Sequence, residues 1–428
     1  MNRTVCRLCN SKALERFLDL GTVPLANRFI RPERRAEPEP RYPLRVALCR
    51  DCGLVQLDED VPRETLFRDY IYVSGTSDLL HRHARWLAES LCRRYQLGPR
   101  DLVMEAASND GSVLKAFRQQ QVQVLGIEPA ANVAAAAREA GIATVVDFFD
   151  ERLARTLRGQ YGPARLFLAR HVLAHVADLA GFVAGIKQVL AEDGVAVIEV
   201  HHAAALYEQL AFDTIYHEHL CYFSLAALQR LFARFGLVLL DVDVLPIHGG
   251  SLLVQVVHED GPYQFSRRIG VTLEAERVLQ LGELNTWQRF ARAVAALKEE
   301  LLAFIDGLRR NGRRLAGYGA PAKGNTLLSY CGIGPERLPY IVDKSPLKQG
   351  YLTPGQHIPV YGPEVLLKEQ PDVTLILAWN FADEIVAQQA EYRRRGGQFA
   401  VPIPYPRILA GREGAARQPV ASMKWPGG

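Results

Sequence analysis

The sequence predicts an α/β protein of three parts, a small N-terminal metal-binding domain followed by two successive Rossmann-like sheets. Three observations carry this reading. Cys6-Arg-Leu-Cys9 and Cys49-Arg-Asp-Cys52 form two CxxC pairs near the start of the chain. Short apolar runs alternate with helix-like stretches from Asp101 to Val200, and the alternation returns from Arg314 to Ala378. Strands alternating with helices make parallel sheets. At 428 residues the chain is too long for one ordinary core. The expected domains are residues 1–66, 67–300 and 301–428.

Composition narrows the function classes. Hydrophobic residues make up 48% of the chain and charged ones 23%, as in soluble globular proteins. The net charge of +4 is scattered, and runs such as Arg309-Arg310 and Arg393-Arg-Arg395 read as solvated helix ends, so no nucleic-acid partner is expected. The N-terminal residues lack the apolar core of a signal peptide, and no uninterrupted apolar run is long enough to span a bilayer. The expectations are no membrane partner and a cytoplasmic location; the oligomeric state is not set by the sequence.

The first element is the cysteine set. Two residues between thiolates let both sulfurs of a knuckle face one ion, so Cys6, Cys9, Cys49 and Cys52 are the expected ligands of a closed four-thiolate zinc shell. A closed shell leaves no position for substrate, so the zinc is structural. Gly53 suits the second knuckle turn. Cys92, Cys221 and Cys331 stand singly and read as small buried residues.

A helix is expected from Asp78 to about Gln96. Asp101-Leu-Val-Met-Glu105 then reads as a buried strand running through Ala106–Gly111 into a helix, the first step of a parallel sheet. Val122–Glu128 is the second strand, Asp147 follows a third, Leu166–Ala169 is the fourth and Val195–Val200 the fifth. The loop lacks a GxGxxG, which disfavours a dinucleotide. S-adenosylmethionine (SAM) carries no phosphate, and a loop with Glu105, Ala107, Asn109, Asp110 and Gly111 can hold its amino-acid end. Glu128, at a strand end, can accept from both ribose hydroxyls, and Asp147 and Phe148 are placed to meet the adenosine.

The motifs form an ordered set: the two CxxC pairs, Glu105-Ala-Ala-Ser-Asn-Asp-Gly111, His171-Val-Leu-Ala-His-Val176, Tyr216-His-Glu-His219 and His248-Gly-Gly-Ser251. The set resembles the SAM-dependent sugar C-methyltransferases, which act on nucleotide-linked keto-deoxysugars and include the tetronitrose C-methyltransferase. The resemblance covers nearly the whole chain, including Gly317–Asn325. It implies an α/β enzyme with an N-terminal zinc-binding domain, a central class I SAM-methyltransferase Rossmann-like domain and a C-terminal Rossmann-like domain, with the nucleotide sugar between the last two. It makes His219 the base, with Tyr216 and Glu218 beside it and His175 as a further active-site histidine. It places an N-terminal active-site tyrosine at Tyr70 or Tyr72, Tyr70 being the catalytic choice and Tyr72 a substrate contact, and puts His248 on the substrate side. Ala107 stands where many members have glycine, and Leu253 where many have arginine; if that arginine holds phosphate, another residue does so here.

The chemistry fits those residue types. A hydrogen alpha to a ketone needs a base and a donor for the enolate oxygen, and imidazole is suited as base near neutral pH. On a helical turn Tyr216 and His219 would share a face, whereas His217 would point away. His201 and His202 follow the fifth strand and carry less weight. Thr272–Arg310 reads as one long amphipathic helix, and strands at Arg314–Tyr318, Tyr340–Asp343 and Val373–Ala378 make the second sheet. Lys323 and Asn325, near a helix N-terminus, are the expected contacts to a diphosphate. Two rivals remain open: an NAD-dependent oxidoreductase using Asp343 at a ribose position, and a zinc protein acting on RNA.

Overall fold

A computed structural model describes residues 3–62, 65–66, 78–261 and 263–410. Tyr70 and Tyr72 lie outside the described residues. Among the described residues three sheets account for the strands. In the N-terminal sheet β1 (Leu14–Pro24), β2 (Arg41–Cys49) and β3 (Val55–Leu57) run antiparallel. Its fourth strand comes from the middle of the chain: β9 (Cys221–Tyr222) pairs with β3 through Val55↔Tyr222 and Gln56↔Cys221.

The two cysteine pairs flank this sheet. Cys6 and Cys9 precede β1, while Cys49 ends β2 and the chain turns back through Gly53, whose φ of +74° is left-handed. Cys6 Sγ and Cys52 Sγ are 3.5 Å apart, Cys9 Sγ and Cys49 Sγ 3.6 Å, and all four sulfurs lie within 4.8 Å of one another. Four thiolates about 2.3 Å from a tetrahedral zinc stand about 3.8 Å apart, so the donor set fits the metal. The chain binds zinc here as a structural ion.

The central sheet has the order β10-β11-β8-β7-β4-β5-β6. β4 (Leu102–Ala106), β5 (Gln123–Ile127), β6 (Thr144–Val145), β7 (Ala164–Arg170) and β8 (Leu190–His201) are parallel; β11 (Ser251–His258) runs antiparallel between β8 and β10 (Leu237–Leu245). Every residue of β4 is buried, as expected of a parallel strand covered by helices on both faces. The third sheet, β14-β13-β12-β15-β16-β17, comprises β12 (Leu315–Tyr318), β13 (Ile341–Val342), β14 (Val360–Tyr361), β15 (Val373–Ile376), β16 (Gln398–Val401) and β17 (Arg407–Ile408), parallel except at β17.

One expected element is corrected. The single helix over Thr272–Arg310 is two, Arg267–Val278 and Leu284–Arg310. Gln280 at φ 56° and the following Gly282 turn the chain between them, and Trp287 Nε1 donates to the Leu281 carbonyl at 2.8 Å, fixing the corner. The second helix packs on β1, where Phe17 meets Trp287 at 5.3 Å. One apolar cluster, from Leu18 through Phe167 to Ile403, runs through all three parts. Asn325 Nδ2 donates to the Ala26 carbonyl at 2.7 Å and Ile30 bridges to Leu352, so the N-terminal domain is also tied to the third sheet.

The metal should therefore be needed for folding. Elemental analysis should find about one zinc per chain. Cys49→Ser should release it and lower the melting temperature by at least about 5 °C, since closed zinc shells supply on the order of 10 kcal/mol of folding free energy. A zinc-free protein melting like wild type in calorimetry would overturn this.

Candidate active site

Among the described residues the sheets leave a cavity of about 870 Å³, lined by Asn27 and Tyr42 from the N-terminal domain, by the strand ends of the central sheet, and by Pro321, Ala322, Lys323 and Phe381 from the C-terminal part. It opens at the carboxyl ends of β4, β5 and β7, where ligands of open α/β sheets bind.

At one end lies the loop after β4. Ala107 and Asn109 both take left-handed φ values, 51° and 52°. Left-handed alanine costs about 1–2 kcal/mol, which is the physical reason glycine would suit this position. Asp110 Oδ1 accepts from Ser112 N at 3.1 Å and Gly111, at φ 72°, caps the helix Ser112–Gln119; a Cβ on Gly111 would lie 3.0 Å from Ile142. Glu128 lines the cavity and accepts from Asn109 N and Ala130 N, each at 2.9 Å. Each carboxylate oxygen keeps a further lone pair, so the pair fits two ribose hydroxyls. Burial raises the Glu128 pKa. Asp147 and Phe148 also line the cavity, Asp147 being bonded to Arg152 at 3.2 Å. Glu105 does not line it: its carboxyl is 1% exposed, bonded to Arg170 Nε at 3.0 Å, and burial pushes it up to about 7.

At the other end is the segment after β8. The helical turn on which Tyr216 and His219 would share a face does not form. A short 3₁₀ turn at Phe212–Thr214 is followed by a tight turn closed by His219 N to Tyr216 O at 2.8 Å. The two side chains still meet: the Tyr216 hydroxyl is 2.7 Å from His219 Nε2, and His219 Nδ1 is 2.7 Å from the Thr214 carbonyl. The carbonyl can only accept, so Nδ1 carries the proton and Nε2 accepts from Tyr216. Glu218 faces the cavity too, but its carboxylate is bonded to Asn27 Nδ2 and to no imidazole. His217 points away as expected, its Nε2 donating to the Tyr42 and Pro43 carbonyls at 3.2 Å.

Around His219 stands a wall of imidazoles. His175 lies 4.9 Å and His201 5.0 Å from it, ring centre to ring centre. His171 lies 4.7 Å from His201 and 4.5 Å from His248. Burial pushes His175 down to about 4 and holds His201, His219 and His248 well below the usual value, neighbouring imidazoles adding to the effect. These rings are neutral at physiological pH. His171 Nε2 is bonded at 2.8 Å to Glu199, which also meets His83 Nε2 at 2.7 Å. Burial raises the Glu199 pKa, but His83 and His171 more than offset it and hold the carboxylate ionised.

The third sheet brings one of its two expected residues to the cavity. Lys323 Nζ lies 3.9 Å from the Trp379 ring centre, and burial pushes it down to about 8, opposed by Asp213. Trp379 Nε1 donates to Asp213 Oδ2 at 2.7 Å, joining this part of the chain to the segment that carries Tyr216 and His219. Asn325 is 1% exposed and spends its amide on Ala26 instead. Asp343 accepts from Ala320 N at 2.7 Å and Ser345 N at 2.8 Å, and unlike Glu128 it does not line the cavity. Leu253 is buried in the core of the central sheet.

His171, Glu199, Asn27 and Trp379 are the site residues that sequence reasoning passed over. His171 shares a motif with His175 and Glu199 lies in the fifth strand, so those two carried a signal; Asn27 and Trp379 carried none.

Comparison with known proteins agrees with this architecture. A zinc binding domain model matches residues 6–67, a methyltransferase domain model residues 79–242 and a C-methyltransferase C-terminal domain model residues 246–404. The C-methyltransferase NovU of Streptomyces niveus is 35% identical over 405 residues, 95% of this chain and 96% of its own. Among solved structures, a SAM-dependent methyltransferase from Anabaena variabilis aligns with a TM-score of 0.34 and 14% identity over 41% of this chain and 84% of its own. The glycopeptide N-methyltransferase MtfA with bound SAM gives 0.33 and 14% over 44% and 97%. No helix among the described residues is long and apolar enough to cross a membrane. With its four-cysteine zinc shell, its methyltransferase sheet and a relative matched along nearly its whole length, this chain belongs to the C-methyltransferase family and uses SAM as methyl donor.

Proposed function

We propose that this C-methyltransferase acts on C-3 of a nucleotide-linked 4-keto-deoxysugar, through an enolate generated by its own base. The observation that carries the reading is the Tyr216–His219 pair at the junction of the three domains. His219 Nε2 is the final proton acceptor, because Nδ1 is committed to Thr214. The alpha proton passes to the Tyr216 oxygen as that hydroxyl gives its own proton to Nε2, or to Nε2 directly once substrate displaces the hydroxyl. The imidazolium so formed gains the enolate as counter-ion, which offsets the cost of charge in a dry site. His175 is a neutral imidazole beside His219, and its one N–H, engaged by the Glu218 backbone in this structure, would have to turn to an enolate oxygen to serve as its donor. Glu128 orients the donor, and bound SAM supplies an electrophilic methyl group. Lys323, beside the N-terminus of the helix Ala322–Cys331, suits a diphosphate.

Replacing Glu128 by Ala should weaken SAM binding roughly tenfold or more, the effect of losing a charged acceptor. Unchanged affinity in calorimetry would remove Glu128 from the donor site.

His219→Asn should keep SAM affinity yet slow methyl transfer by about a hundredfold or more. A comparable loss in Tyr216→Phe favours the relay through the phenol, while a small one favours direct abstraction. Product NMR should place the methyl on C-3; C-5 flanks the same carbonyl, and a methyl there would correct the position. Near-normal turnover of His219→Asn rejects the base.

The pH profile carries a further test. The His219 pKa lies below the usual 6.5, so the base stays unprotonated at neutral pH and is lost only in acid. In Glu218→Gln, which removes a carboxyl that burial pushes up to about 7, the acid limb of the rate profile should therefore fall below pH 6.5, and an acid limb centred at or above that value in this variant would contradict the buried, neutral imidazole.

A further inference from the structure

Asn27 belongs to no motif, yet it reaches the centre of the site. It sits in the turn after β1, where Arg28 N bonds to the Leu25 carbonyl at 3.1 Å. Its Nδ2 lies 2.9 Å from each carboxylate oxygen of Glu218, a residue 191 positions away. The adjoining Ala26 carbonyl takes the Asn325 amide at 2.7 Å. One turn of the zinc-binding domain thus touches the catalytic segment and the third sheet together. Asn27 and Glu218 both line the cavity.

The Glu218 carboxylate has an unusual setting. It is 4% exposed. The titratable groups flanking it are His217 and His219 on its own segment, His175 from the turn after β7, whose ring bonds to the Glu218 backbone, and Tyr42 on β2. None is a cation at neutral pH, since burial depresses all three histidines. A buried carboxylate needs hydrogen bonds or a counter-charge. A neutral carboxamide supplies the first without the second, and leaves lone pairs open toward the cavity.

We propose that Asn27 is a positioning residue of the methyl transfer. It holds the Glu218 carboxylate at the cavity wall as acceptor for a hydroxyl or ammonium group beside the reacting carbon, so that the zinc-binding domain completes the active site. The proposal rests on the reading of the substrate as a keto-sugar. Burial pushes the Glu218 carboxyl up to about 7 and Asn27 opposes that rise. Removing Asn27 should raise the value further and so deplete the ionised form at neutral pH.

The test uses the full-length, zinc-loaded protein. Infrared titration should reveal a protonated carboxyl band that Glu218→Gln abolishes. In Asn27→Leu its midpoint should move up by roughly one pH unit or more, the worth of a hydrogen bond to a charged group. Methyl transfer at about pH 7 should then fall about fivefold, and recover toward wild type near about pH 9 as the carboxyl ionises again. Zinc content, melting temperature and SAM affinity should stay close to wild type. In a Glu218→Gln background the same Asn27 substitution should cost little, because its partner is already gone. If Asn27→Leu fails to fold, Asn27→Ser keeps a short donor and should give a smaller shift in the same direction.

An unmoved infrared midpoint overturns the proposal. So does a rate loss that persists near about pH 9, or a loss of equal size with and without Glu218. The infrared titration needs no substrate. A shifted midpoint together with no turnover on any nucleotide-linked keto-sugar would instead reject the functional reading and leave the Asn27–Glu218 coupling standing.

Discussion

The structure depends on the burial of one polar segment, Asp213 to Tyr222, between three domains. Its side chains are satisfied by different partners. Asp213 accepts from Trp379 of the third sheet, His217 donates to the Tyr42 and Pro43 carbonyls, and Glu218 accepts from Asn27. Its backbone is claimed as well: Leu220 N bonds to the Ala174 carbonyl at 2.7 Å, and Cys221 and Tyr222 become the fourth strand of the zinc-domain sheet. Buried polar groups are costly when unpaired, so moving any one domain strands donors or acceptors in the other two. This is the physical link between the zinc-binding domain and the Tyr216–His219 pair.

Dehydration then sets the electrostatics. The imidazoles at 175, 201, 219 and 248 face one another with no carboxylate between them, and burial keeps them neutral. Glu199 is the exception, a buried anion held between His83 and His171. The cavity wall thus divides into His171, aligned by a carboxylate, and His219, whose Nδ1 is aligned by a backbone carbonyl. The second arrangement fixes the His219 tautomer through a neutral backbone group.

Strain gathers at the same rim. Ala107, Asn109, His171 and His248 are all left-handed non-glycine residues, and all line the cavity. Such conformations persist where the surroundings over-determine them. At His171 the over-determination is visible: its amide bonds to the Glu199 carbonyl at 2.6 Å and its ring to the Glu199 carboxylate.

The sequence by itself determined what local spacing can encode. Two residues between cysteines bring their thiolates to one ion, and apolar runs separated by tight loops make parallel strands with Glu128 at a strand end. The meeting of Tyr216 and His219 was also legible, though a tight turn and not a helix achieves it. The single long helix after Thr272 was misread because Gln280 gives no signal of the left-handed turn it takes. What only the tertiary structure decided is which imidazoles stand together, which nitrogen of His219 is free to accept, and that Asn27 serves Glu218. These follow from contacts such as that between Asn27 and Glu218, 191 positions apart, and from side chains meeting backbone carbonyls. Such pairings leave no periodicity or motif in the chain, because they exist only once the three parts have closed around a shared apolar cluster.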